Sequence, residues 1–580
     1  MTRISLASAL LCCALLGNAA RAADPPKITV FVAKKIYTMD PGWPEATAVA
    51  VQGGKILTAG TVDEVKLYLG KTPFEIDERF QDKILMPGFV EAHGHPLIGG
   101  TTLTRPLLTY LPTGQAYGPD FPGVKTLGEA LERLKEYVAA EKNPERNVVA
   151  WGYDVLAMGR LLDKTILDGV SVTQPVVVWD ASEHMVFANS AAMIAAHLPA
   201  NVTKINGVGV GEDGAPNGQF IGPGAAQILL APLLAELLQP RNALKNMKFI
   251  TDLGRKNGLT TTSEMVLGIV NLDLEERLFD MFFNDPNGTQ RCVAVTSGLA
   301  AEEAKKLEAI SFVKGLESKS TDRLMFHGVK FFADDAYLSL SMQVENPGYS
   351  DGHTGFWNVK PGHDMFEQWK PWWDAGFQIH VHTNGNAGNR ATLDTLAALQ
   401  NHKPRFDHRF TCQHFGISTE EQAFQAKALN ALVSMNPYYL YARSELTAPS
   451  VGAERAYTAA RFKTLLDAGV KVSMHSDTPV GTPRPLEMVW IAVNRFGLSG
   501  TVRGPFERIT PLQAFRMVTI DAAYTLGVEY KVGSISPGKF ADFAVLENDP
   551  FTVPVEKIRD VKVWGTVLGG KVLPASEIKP

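Results

Sequence analysis

Three times in the middle of the chain a helix-prone stretch ends in glycine and runs straight into a β-prone segment: Asn257-Gly258-Leu259, Ala375-Gly376-Phe377 and Ala468-Gly469-Val470. Glycine just past a helix supplies the left-handed cap that other residues resist. A helix returned between strands is the connection parallel strands need, whereas antiparallel strands can be joined by a tight turn. The pattern predicts an α/β chain built on a parallel sheet. The two ends differ. Ile28-Thr29-Val30-Phe31-Val32 and Ala46-Thr47-Ala48-Val49-Ala50-Val51 are β-prone, and Gly53-Gly54 turns the chain into Lys55-Ile56-Leu57. Phe543-Ala544-Val545-Leu546, Val561-Lys562-Val563-Trp564 and the turn at Gly569-Gly570 repeat that texture. Both ends are expected to pair into one small β-sandwich. Residues 101–245, rich in proline and glycine in places, break the helix–strand rhythm and read as an insertion.

With 580 residues, 45% of them hydrophobic and 20% charged, the chain is long enough for a large core and a concave site, and its composition is neither that of a disordered chain nor of a polytopic membrane protein. Arg3, the 13 mostly apolar residues Ile4 to Leu16, a stretch too short to span a bilayer, and Ala20-Arg21-Ala22 read as a secretory signal over residues 1–22. Its removal leaves 54 basic against 61 acidic side chains, a net charge of −7. No basic run tracks phosphates, so nucleic acid is not an expected partner, nor is a membrane once the leader is gone. Cys12 and Cys13 leave with the leader; Cys292 and Cys412 are too few for a disulfide framework. The expected location is periplasmic or secreted. The sequence does not reveal the oligomeric state.

Chemistry concentrates at the ends of β-prone segments. Met86 to Val90 runs through Glu91 and Ala92 into His93-Gly94-His95, whose imidazoles share a face if the strand alternates. Two imidazoles on one face can hold a divalent metal. Ile379-His380-Val381-His382 places two more histidines on one face and two aliphatic residues on the other. Arg409-Phe410-Thr411-Cys412-Gln413 ends in His414, and Val470 to Met474 leads to His475-Ser476-Asp477. In parallel barrels, reactive groups sit at the carboxyl ends of strands.

His-x-His, then His, then His, then Ser-Asp, each closing a candidate strand, resembles the amidohydrolase superfamily. Pro87-Gly88-Phe89, Gly452-Ala453-Glu454-Arg455, Ser476-Asp477-Thr478-Pro479-Val480 and Pro537-Gly538-Lys539-Phe540-Ala541-Asp542 are similar to amidohydrolase family 3, the branch of N-substituted formamide deformylase-like enzymes. The similarity runs through most of the chain after the leader. It implies a (β/α)₈ TIM-like barrel over residues 87–530, carrying residues 101–245 as a lid-like insert, with the β-sandwich formed from 23–86 and 531–580. It also implies a mid-barrel ligand: Lys330, within Phe326-His327-Gly328-Val329-Lys330-Phe331-Phe332, matches the lysine that relatives carboxylate.

An ammonium, with a pKa near ~10.4, would be repelled by two divalent cations; a carbamate formed with CO₂ is an anion whose oxygens can bridge them. One ion is expected on His93, His95, Lys330 and Asp477, the other on Lys330, His382 and His414. These ligands suit zinc and admit manganese, iron or cobalt. A hydroxide bridging the metals would attack an amide or cyclic amide carbonyl, with Asp477 accepting its proton and returning it to the leaving nitrogen. The expected function is therefore an exported hydrolase of a non-peptide C–N bond in a small molecule. Two alternatives stand beside it: the same metals acting on an ester, lactone or phosphoester, and a non-enzymatic regulator of exoenzyme production.

The sequence departs from the family at Gln413, where Glu is common, at Gly385-Asn386, where Gly-Asp is common, and at Asp334-Asp335, where Asp-Gly is usual. His380 and His475 share parity with the ligands, as substrate contacts or as local hydrogen-bonding residues. In the insertion, Glu183-His184-Met185-Val186 brings a further candidate, His184, as a substrate residue of a lid or as a structural histidine. Trp369, Trp372 and Trp373 read as helix packing rather than a sugar platform.

Overall fold

The computed structural model describes residues 26–580; the expected leader, with Cys12 and Cys13, lies outside the described residues. In chain order the amino-terminal strands are β1 (Ile28–Tyr37), β2 (Glu45–Gln52), β3 (Lys55–Gly60) and β4 (Phe74–Pro87), followed at once by β5 (Phe89–Val90). Next come β6 (Val148–Tyr153), β7 (Val176–Asp180), β8 (Met185–Ala188), β9 (Val208–Val210) and β10 (Pro216–Ile221). β11 (Leu259–Leu267), β12 (Arg291–Ser297), β13 (Leu324–Phe332), β14 (Ile379–Thr383), β15 (Thr411–His414), β16 (Leu432–Met435) and β17 (Val472–Met474) alternate with helices. β18 (Phe543–Leu546), β19 (Val563–Leu568) and β20 (Lys571–Pro574) end the chain.

β5 and β11 to β17 form one eight-stranded sheet in chain order, every neighbouring pair parallel. The ring is drawn together where its first and last strands end: the Asp477 N–H donates to the His93 carbonyl, and the His95 N–H to the Thr478 carbonyl, each at 3.1 Å. The result is a TIM-like barrel. Side-chain alternation sorts each strand. On β14, Ile379 and Val381 join the apolar layer between sheet and helices, while His380 and His382 point the other way. The helix His363–Asp374 buries Trp369, Trp372 and Trp373 in that layer, with Phe331 of β13 at 6.4 Å and 6.2 Å from the first two rings. The three tryptophans are packing residues, as read from sequence.

The chain ends do meet, but as one sheet. Its order is β20-β19-β18-β4-β1-β2-β3, so strands from both chain ends share one continuous sheet, and two separate sheets forming the expected sandwich are not confirmed. The reason is β4, whose 14 residues pair with β1 over most of their length and with β18 at Ile84 to Pro87. Hydrogen bonding therefore passes from the amino-terminal strands to the carboxy-terminal ones without a break. Bulges in β1 bend the sheet, and Phe31, Val49, Phe80, Phe543 and Val567 close one apolar core on its inner face. Within the insertion, β6-β7-β8-β10-β9 form a third sheet. No described helix is long and apolar enough to cross a membrane. Cys292 and Cys412 are buried, unpaired and on β12 and β15.

Two of the sequence motifs fasten the terminal sheet to the barrel. Gly88 lies so close to β11 that a Cβ there would sit 2.0 Å from Thr260 Oγ1. Asp542 accepts two hydrogen bonds from the Arg291 guanidinium, at 2.6 and 3.0 Å, and one from the Gly569 N–H. Both side chains of this pair are almost wholly buried. Removing one partner of such a pair strands the other charge, at a cost of about 3–5 kcal/mol. Asp542→Ala is therefore expected to lower stability by about that much, read as a fall in the urea midpoint of the first unfolding transition.

Candidate metal centre

Regular strand stops at Val90, five residues short of His95. The chain bends at Ala92 and His93, and main-chain hydrogen bonds hold the His-x-His from both sides. On one side the Gly94 carbonyl accepts from Met265 N–H and the Gly94 N–H donates to Ser263 Oγ; on the other lie the bonds to Asp477 and Thr478. His93 and His95 converge with ring centroids 5.2 Å apart, and the Nε2 of each lies 3.4 Å from Asp477 Oδ1. His414 Nδ1 lies 3.7 Å from Asp477 Oδ2, and the His414 ring is 4.6 Å from His93 and 4.5 Å from His382. Lys330 pairs in register with His380, one layer below His382, and its buried amine makes no hydrogen bond or ion pair. All six sequence-predicted ligand residues meet at one end of the barrel. Donor atoms close enough to share an ion occur in His93, His95 and Asp477, and again in His93, His414 and His475. His414 and Asp477 both adopt positive φ, +75° and +59°. Such strain, about 1–3 kcal/mol per residue, is typical of sites where the surroundings hold a side chain in place.

Hydrogen bonds decide which ring nitrogens face inward. His93 Nδ1 is 2.7 Å from Gln413 Oε1, and Gln413 Nε2 is 2.9 Å from His380 Nδ1. The amide donates to His380 and accepts from His93, so His93 carries its proton on Nδ1 and offers the Nε2 lone pair. His95 Nδ1 is likewise 3.0 Å from Glu264 Oε1. His382 Nε2 lies 3.3 Å from the Asp335 carbonyl, which can only accept, so the proton sits on Nε2 and Nδ1 keeps its lone pair. His414 Nε2 is buried with no partner. A buried orphan beside neutral imidazoles and one carboxylate is a donor set that fits a divalent cation. His475 instead bridges Ser434 Oγ at 2.9 Å and His414 Nδ1 at 3.2 Å.

The charges agree with that fit. Burial, then Lys330, keeps His93 well below the ordinary imidazole range; burial does the same for His414, and brings His382 to about 4 and His475 to about 3. Burial opposes charge on His95 as well, but the Asp477 and Glu264 carboxylates outweigh it and hold the ring up at about 10. The two ring nitrogens of His95 thus each face a carboxylate, Nδ1 that of Glu264 and Nε2 that of Asp477. Burial alone would raise Asp477; His95 and the other positive groups pull it below the usual range. Burial pulls Lys330 down to about 7. Beside the cluster opens a cavity of about 1090 Å³, walled by Trp151, Asp154, Tyr438, Tyr439, Arg443 and Val480. Tyr439 connects the two, its ring 6.2 Å from His414.

Residues 81–574 match the amidohydrolase family. The chain belongs to that family. It is 25% identical over 539 residues to the N-substituted formamide deformylase of Arthrobacter pascens, covering 90% of this chain and 94% of that one. It is 28% identical over 402 residues to the exoenzymes regulatory protein AepA of Pectobacterium carotovorum subsp. carotovorum, covering 65% and 78%. Among solved structures, a metal-dependent hydrolase from Pyrococcus horikoshii OT3 superposes with a TM-score of 0.69 at 19% identity, over 91% of this chain and 99% of that one, a likeness of fold.

The remaining sequence candidates in this amidohydrolase separate. His380 is fully buried beneath the site, its Nδ1 2.9 Å from Gln413 Nε2 and its Nε2 without a partner among the described residues. His475 lies within the cluster, also buried. His184, on the β7–β8 turn, reaches the barrel: its Nδ1 is 3.4 Å from Asp335 Oδ2, on the loop after β13. Sequence reading missed Glu264, whose position at the end of β11 was concealed by the polar run Thr260-Thr261-Thr262-Ser263. It missed Glu91, which shares parity with His93 and accepts from the Ser476 N–H at 2.9 Å and Oγ at 2.7 Å. It missed Glu183, which burial lifts to about 7 and which feels both His95 and Asp477. Groups that orient metal-binding histidines are typically worth 10–100-fold in metal affinity. Gln413→Leu, which frees the His93 tautomer, is expected to weaken metal binding by about that factor in competition with a chromogenic chelator.

Proposed function

We propose that this amidohydrolase is an exported, metal-dependent enzyme that hydrolyses a non-peptide C–N bond of a small amide or cyclic amide, with two divalent ions, zinc the leading choice, and a carboxylated Lys330. The observation that carries the reading is Asp477: ionised and within 3.4–3.7 Å of three imidazoles at the barrel rim. His93, His95 and Asp477 would hold one ion, His382 Nδ1 and His414 Nε2 the other, with Lys330 between them. Bound there, divalent metal would supply carbonyl polarisation and an acidified water.

The chain's own groups do the rest. Asp477, held below the usual carboxylate range, is ready to take a proton from the attacking water and to pass it to the departing nitrogen. Lys330 near 7 is in large part a free amine at neutral pH, the form that adds CO₂ and releases a proton to become a carbamate. Export rests on the leader at residues 1–22, and the lid role of the insertion on the contact of His184 with Asp335. Attack on an ester, lactone or phosphoester needs the same ligands. A non-enzymatic regulatory role draws on the likeness to AepA, but the donor set here keeps every ligand type.

Asp477→Asn is expected to lower kcat on an N-monosubstituted formamide by about 10²–10⁴-fold, the usual worth of a general acid–base. Unchanged turnover, or full turnover after chelation, contradicts the scheme. Wild-type protein loaded with metal in ¹³C-bicarbonate should show a carbamate carbon signal that Lys330→Ala lacks.

A further inference from the structure

We propose that Glu183, delivered by the insertion, is a specificity-determining residue that accepts an N–H from the substrate's leaving nitrogen, so that the site selects amides bearing an N–H, and their amine products, over esters and N,N-disubstituted amides. The inference rests on the C–N hydrolase reading above.

The turn that carries Glu183 is firmly built. The Asp180 carboxylate accepts from the Ser182 N–H at 3.0 Å and the Met185 N–H at 2.9 Å. The Trp179 indole N–H donates to the Glu183 carbonyl at 3.1 Å. Glu183 itself takes φ +65°, a conformation most side-chain-bearing residues avoid. The next residue, His184, is paired with Asp335, whose carbonyl lies 3.3 Å from His382 Nε2. The turn is thereby pinned to the barrel mouth.

The carboxylate at its tip is unsatisfied. Glu183 Oε1 is buried with no hydrogen-bond partner among the described residues. The nearby basic groups are already taken: His95 by Asp477 and Glu264, His184 by Asp335. A buried carboxylate oxygen without a donor is costly, and the negative charge of Asp477 adds to that cost. What Glu183 Oε1 lacks is a donor. A nitrogen protonated by Asp477 must lie beside Asp477, within the field of Glu183. An amide N–H, or the ammonium of the released amine, supplies that donor; an ester oxygen has none. Sites built to pair with a polar hydrogen discriminate strongly against ligands lacking it.

Two measurements on metal-loaded wild-type, Glu183→Gln and Glu183→Ala proteins test this. The first is calorimetric binding of a primary alkylamine and of the alcohol with the same carbon skeleton. The amine Kd is expected to rise at least about tenfold in both variants, while alcohol binding stays within about twofold. Unchanged amine binding, equal loss for amine and alcohol, or no amine binding by wild type overturns the proposal. The second is kcat/KM for an N-monosubstituted formamide, its N,N-disubstituted counterpart and the matching formate ester. The variants should lose at least about tenfold more on the first than on the other two, and an equal loss on all three overturns the proposal. Should wild type hydrolyse no amide, the functional reading fails, while the amine titration still decides the role of Glu183.

Discussion

The closing of the barrel at its rim is the constraint on which the site depends. The first and last strands are short, two and three residues of regular structure. They are joined by the main-chain bonds between His93 and Asp477 and between His95 and Thr478. Glu91 reinforces the seam from beneath by taking the Ser476 N–H and hydroxyl, and burial raises it to about 7. The same two hydrogen bonds that shut the ring therefore set the distance between the histidine pair and the acid. Residues almost 400 apart in sequence become neighbours because the eight-strand cycle has no other way to end.

Around that seam the protein builds a polar column rather than an apolar plug. His380, Gln413 and His93 form a chain from the barrel interior to the mouth, each orienting the next. Glu264 does for His95 what Gln413 does for His93. A neutral amide in place of a carboxylate holds the His93 tautomer without adding a negative charge to a cluster that already holds Glu91, Glu264 and Asp477. The departure from the family pattern at Gln413 thus keeps the orienting geometry and changes the charge. The insertion brings its own acid and imidazole, Glu183 and His184, and His184 meets Asp335 on the barrel.

Much of this was legible in the sequence because strand-end chemistry is local. His-x-His, the paired histidines of β14, His414 and Asp477 each close a β-prone run, and helix–glycine–strand units announce parallel connections. The β-prone character of both ends was visible too, but not that β4 would fuse them into one sheet, since that depends on a 14-residue strand pairing with two partners at once. Glu264, Glu91 and Glu183 escaped notice for a related reason: each owes its role to a partner distant in sequence, and an isolated acid at a strand end or turn looks like a cap. The insertion's sheet was hidden by glycine and proline, which mark turns but do not say what the turns connect.

Six side chains are proposed to enclose a pair of cations at that seam. The most direct measurement is anomalous X-ray diffraction from crystals of zinc-loaded protein. Two peaks about 3.5–4 Å apart are expected, one among His93, His95 and Asp477, the other against His382 and His414, with the Lys330 side chain extended by a carbamate between them. No peak inside the ring, or a Lys330 amine turned away from the histidines, would contradict it.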